Sequence, residues 1–161
     1  MIDEFIQWLN KNEWHIELND KKFNVSSNEV LNKFNCLPQR FVELLERCRT
    51  IESNDATIWF LCGGDYKTDS GDAFKWNEFE LLSLDAAQGD EKRENKILNW
   101  WSDKLPIILS VRDGYSFYAI DLGSDSGAVI RGEEPEFEEA HVVADSFDSF
   151  LKKIMDKTIL L

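Results

Sequence analysis

The chain has 161 residues, 43% apolar and 12% aromatic, with 31 Asp and Glu against 18 Lys and Arg for a net charge of −13. That composition excludes a largely disordered chain, and the length predicts one domain, 1–161, burying roughly 70% of its unfolded surface. Its charge repels phosphate backbones, which sets nucleic acid aside as a partner, and steers basic proteins towards the surface.

Ile2, Phe5, Ile6 and Leu9 repeat at i, i+3, i+4 and i+7, which predicts a first amphipathic helix. The polar stretch from Asn10 to Asn24 reads as a short strand around His15–Leu18 or as a loop. Ser26 and Glu29 have the spacing of a capping box, opening a short helix with Val30, Leu31 and Phe34 on its buried face. Leu37-Pro38 restarts the chain, with Pro38 suited to a first helical position. Phe41, Leu44, Leu45 and Cys48 then follow at helical spacing.

The period changes at Thr57–Cys62, a β-branched and aromatic run that ends at Gly63-Gly64-Asp65 and reads as a strand. Residues 75–84 fit a helix through Trp76, Phe79 and Leu82, or a strand through Phe79-Glu80-Leu81. Gly89-Asp90 opens a helix running to Trp101. Pro106–Val111 reads as a strand, Asp113-Gly114 as the positive-φ pair of a tight hairpin, and Tyr115–Asp121 as the returning strand. A turn at Gly123–Gly127, a strand at 128–130, an acidic turn at 133–136 and a strand near 141–143 follow. In the last helix, Phe147, Phe150, Leu151 and Ile154 share one face, with Asp145 as the expected cap and Asp148 adding negative charge at its start. The predicted class is α+β: N-terminal helices, a central antiparallel and mostly meander sheet, and a C-terminal helix packed on the sheet.

The chemistry-bearing residues do not assemble into a catalytic pattern. His15 and His141 have no nucleophile placed beside them in the sequence, as a general base requires. Cys36, Cys48 and Cys62 are too widely spaced for a zinc knuckle or a redox pair and are expected as buried, reduced thiols. The acids of 133–139 lack the one-three-five oxygen spacing and central glycine of a calcium loop. No Lys-Ser or Lys-Thr follows Gly63-Gly64, so that pair reads as a turn and not a phosphate loop. No catalytic residue, metal or other cofactor is expected. No apolar run approaches the ~20 residues of a membrane span, and the N-terminus lacks a basic, apolar leader, which together predict a cytoplasmic protein.

The order of elements and several motifs resemble the SUKH superfamily, which includes a fungal regulator of cell-wall synthesis and bacterial immunity proteins. The motifs are the Ser26–Glu29 step, Leu37-Pro38, the apolar strand, glycine turn and aromatic strand across Ile107–Asp121, Gly127-Ala128-Val129, and above all Ala144-Asp145-Ser146-Phe147 with Phe150-Leu151. The chain departs from the family after the Leu-Pro helix, where Arg49–Ser53 replaces Asn-Gly-Gly, and residues 65–104 are not placed in the family's pattern. The resemblance implies a non-catalytic domain that binds and neutralises a cognate toxin, or alternatively a regulatory scaffold for a host protein.

Residues 112–148 hold ten acids against Arg112 and Arg131, a local net charge of −8. Interfaces combine aromatic centres with charged rims. In the returning strand either Tyr115, Phe117 and Ala119 or Ser116, Tyr118 and Ile120 face the core, and the more mixed second set makes Tyr118 the candidate for a free face. With Asp113, Asp125, Glu133, Glu134, Glu136 and Glu138 around it, Tyr118 completes the expected surface for a protein toxin with a basic face. The sequence sets no oligomeric state.

Overall fold

A computed structural model describes residues 1–69, 71, 74–123 and 127–161. Helix α1 (Ile2–Lys11) buries Ile2, Phe5, Ile6 and Leu9, as their spacing requires, and leads into strand β1 (His15–Leu18). The Ser26–Glu29 capping box does not form. Two 3-10 turns, Val25–Ser27 and Leu31–Lys33, stand there instead. Asparagines compete with the helix at this point: Asn24 Oδ1 accepts from the Ser26 amide at 3.1 Å, and Asn28 Oδ1 accepts from the Val30 and Leu31 amides at 3.0 and 2.9 Å. Val30 and Leu31 are buried nonetheless.

Helix α2 (Gln39–Arg47) follows Pro38, which sits one residue before the first helical turn. Cys48 opens strand β2 (Cys48–Glu52) and does not extend the helix. Strand β3 (Ile58–Phe60) is followed by two helices, α3 (Glu78–Ala86) and α4 (Glu91–Trp101). Asp90 caps α4 by accepting the Arg93 amide at 3.1 Å. Strands β4 (Lys104–Ser110), β5 (Ser116–Asp121), β6 (Val129–Glu133) and β7 (His141–Ala144) complete the sheet, and α5 (Phe147–Met155) closes the chain. Ser146, not Asp145, caps α5, its Oγ accepting the Ser149 amide at 3.2 Å. No described helix is long and apolar enough to cross a membrane.

The seven strands lie in chain order, each antiparallel to the next. The fold is therefore α+β with a meander sheet. One sheet face is covered by α1, α2 and α5: Phe5 meets Phe60 at 5.7 Å between ring centroids, and Phe150 meets Tyr118 at 5.1 Å. The other face is covered by α3 and α4, whose Phe79 and Trp101 rings lie 6.0 and 4.9 Å from Phe117. Residues 65–104 thus supply a second helical layer.

Being covered twice, β5 has no free face. Residues 116–120 are all buried, and Tyr118 is 6% exposed. The alternation that suggested one solvated face is absent because both sets of side chains meet helices.

Candidate partner-binding cleft

The β4–β5 hairpin organises a concave surface, a cleft of about 630 Å³. Asp113 and Gly114 both take positive φ, 57° and 103°. Gly114 also lets the Glu134 carboxylate come close: a Cβ there would lie 2.7 Å from Glu134 Oε1 and displace that side chain. The turn is looser than a two-residue hairpin. Ser110 pairs with Ser116, leaving 111–115 between the strands, whereas a two-residue turn at 113–114 would set Ser110 opposite Phe117.

That register builds the cleft floor. Ile58, Ser110, Ser116 and Glu133 form one row across β3 to β6, and Tyr118 pairs with Arg131 in the row behind. Ser110 and Ser116 are 6% and 8% exposed, and both open into the cleft. Burial pushes the Tyr118 phenol above its usual range, partly opposed by the adjacent Arg131 guanidinium.

The walls are held by ion pairs. Arg112 Nη2 reaches both Asp55 oxygens at 2.8 and 3.0 Å, its Nε donates to Thr57 Oγ1 at 3.1 Å, and its Nη1 donates to the Leu161 carbonyl at 3.0 Å. Asp55 also accepts from the Ser53 and Thr57 hydroxyls. Those two bonds, then Arg112, hold its carboxyl well below the usual carboxylate range. Arg131 Nη1 pairs with Glu133 at 2.7 Å. Glu134 Oε1 accepts the Tyr115 amide at 2.9 Å, fixing its carboxylate at the rim.

The structure brings Asp113, Tyr118, Glu133 and Glu134 to this cleft. Glu136 and Glu138 line a neighbouring depression of about 270 Å³ on the α3–α4 side, with Glu134 shared between the two. Glu138 accepts the Trp101 indole N–H at 2.7 Å, which ties the acidic loop to α4. Asp125 lies outside the described residues. Ser110, Ser116, Arg112, Arg131 and the Leu160–Leu161 segment complete the cleft, and the sequence reading assigned them no site. Their recognisable signal is a serine on each side of the Asp-Gly turn, but the symmetry is visible only once the longer loop is known.

The remaining titratable groups are placed as follows. Burial pushes the Cys48 thiol up to about 11 and the Cys62 thiol higher still, which disfavours their reactive thiolates. Cys36 is exposed, contrary to its expected burial. His15 and His141 sit on β1 and β7, the opposite edges of the sheet, and both are exposed. Among the described residues no three His, Cys, Asp or Glu side chains are grouped as a metal ion would need.

A seven-stranded meander clad on both faces, with an acid-rimmed polar cleft at its hairpin end, defines the class: an α+β domain whose concave surface is built from fixed charges and hydroxyls. Residues 26–153 match the SMI1 / KNR4 family (SUKH-1), and the chain belongs to that family. The match extends through α3 and α4 and leaves α1 and β1 outside it. No curated protein sequence matches the chain.

Proposed function

We propose that this chain is an immunity protein that binds a cognate bacterial toxin in the cytoplasm and neutralises it by occlusion, without chemistry of its own. The observation that carries the reading is the charge left over at the hairpin-end cleft. Arg112 is paired with Asp55 and Arg131 with Glu133, whereas Asp113 and Glu134 face the mouth without a cation among the described residues. In a chain of net charge −13, this end is suited to a basic protein surface. Membership of the SUKH family supports a protein partner in preference to a small substrate.

Co-expression with the polypeptide encoded immediately upstream tests the reading. Rescue of growth, with a complex recovered on size exclusion, is the expected result. Unrescued toxicity with no complex overturns it for that pair. Capture of a host enzyme in place of a toxin, with that enzyme's activity altered, would support the regulatory alternative.

A further inference from the structure

We infer that the hairpin-end cleft receives an arginine side chain of the partner protein. The inference rests on the toxin-binding reading above and names the chemistry of the anchor. Two independent features point to it. The first is electrostatic: with the Arg112–Asp55 and Arg131–Glu133 pairs closed, Asp113 and Glu134 leave two negative charges at the mouth. The second is Ser116. It is 8% exposed, it lines the cleft, and its hydroxyl has no hydrogen-bond partner among the described residues. The residue is more than nine-tenths buried while its Oγ stays accessible, so the hydroxyl is free to bond to an occupant of the cleft.

The charges decide the sign of the occupant. Both cations of the cleft are already engaged: Arg112 directs its Nε, Nη1 and Nη2 at Thr57, Leu161 and Asp55, and Arg131 Nη1 is held by Glu133. A cation meets two carboxylates at the mouth and a hydroxyl acceptor at the floor. Their spread favours guanidinium over ammonium. A planar fork with five donors reaches several acceptors at once, and it loses less hydration on entering than a compact ammonium. The methylene stem has apolar surface to lie against, since Ile58 and Leu160 also line the cleft. The remainder of the 630 Å³ accommodates the flanking backbone and bridging water.

NMR titration of the whole chain with N-acetyl-arginine amide tests this directly, with the lysine analogue and inorganic phosphate as parallel probes. Saturable shifts confined to Gly114–Ser116 and Glu133–Glu134 are expected with the arginine probe, and several-fold weaker shifts with lysine. The double variant Asp113→Asn, Glu134→Gln is expected to weaken the arginine response about tenfold. It keeps the fold, because asparagine tolerates the positive φ at 113 and glutamine still offers an oxygen to the Tyr115 amide. Four results would each overturn the inference: no saturable shift, an equal response to lysine, shifts at the same residues from phosphate, or an unchanged response in the double variant. The titration contains no toxin. Probe binding without rescue in co-expression would therefore sink the immunity reading and leave the cleft assignment standing, and the converse result would do the opposite.

Discussion

Phe117 is held from several directions: Trp101 at 4.9 Å, Phe79 at 6.0 Å and Phe137 at 6.4 Å between ring centroids, with Gly132 as its cross-strand partner. A Cβ on residue 132 would overlap the Phe117 ring and lie 2.5 Å from the Phe137 carbonyl oxygen. Neither can retreat, since one is packed by aromatics and the other is backbone. Gly132→Ala is therefore expected to destabilise the chain by about 1–3 kcal/mol, read from the midpoint of urea unfolding; an unchanged midpoint would mean that the ring has room. Glu80 makes the opposite kind of prediction. Burial raises its carboxyl pKa above the ordinary 4.5, and the nearby Glu138 adds to the shift. The folded state then binds this proton more readily than the unfolded state, so ionisation of Glu80 weakens the fold at neutral pH, and the penalty fades as pH falls through the raised value towards 4.5. Glu80→Gln should raise the melting temperature at pH 7 and leave it unchanged below pH 4.5. A gain of equal size at both pH values would assign the effect to something other than charge.

At the level of elements, α5 shows how local signals are read and where they blur. Phe147, Phe150, Leu151 and Ile154 are all buried, as their spacing alone demands. The cap is displaced by one residue because Asp145 and Ser146 are adjacent and both suit that position; the extended backbone of Ser146, at φ −158° and ψ 164°, decides it. Ser146→Ala is expected to cost about 1 kcal/mol, and Asp145→Ala clearly less, by thermal unfolding of the two variants side by side; the reverse order would return the cap to Asp145. The α3–α4 pair was harder to read. In α3 the apolar residues spread around the helix: Phe79 is buried while Leu81 is 37% exposed, so no single period dominates. That ambiguity hid the second helical layer, which buries Phe117, while Tyr118 is buried on the opposite face against Phe150 of α5. The hairpin was half legible. Its positive-φ residues are Asp113 and Gly114, as their identity suggests, but loop length sets register, and a change of one residue alters every pairing. The acidic rim was readable because charge needs no register; the Ser110 and Ser116 floor was not.

Across the whole molecule, net charge and its arrangement make separable contributions to partner association. Of the acids in 112–148, Asp121 is paired with Lys104, Asp148 with Arg40 and Glu133 with Arg131, and Asp113, Glu134 and Glu136 are among the exposed charges that remain, close to the hairpin end. Asp20 and Glu29 are also exposed but lie at the other end of the sheet, beyond Leu18 and near Tyr66. Replacing Asp113 and Glu136 by lysine changes the net charge by the same amount as replacing Asp20 and Glu29. If total charge alone steers a basic toxin, the two double variants will slow association equally. If the hairpin end is the docking face, only the first pair acts at short range, because charges beyond a Debye length, about 8 Å at physiological salt, are largely screened. The first pair is expected to slow association on the order of tenfold at low salt, with a smaller effect on dissociation, and the difference between the variants should persist at physiological ionic strength. Stopped-flow measurement across a salt series decides the matter: equal slowing by both pairs would move the docking face away from the cleft.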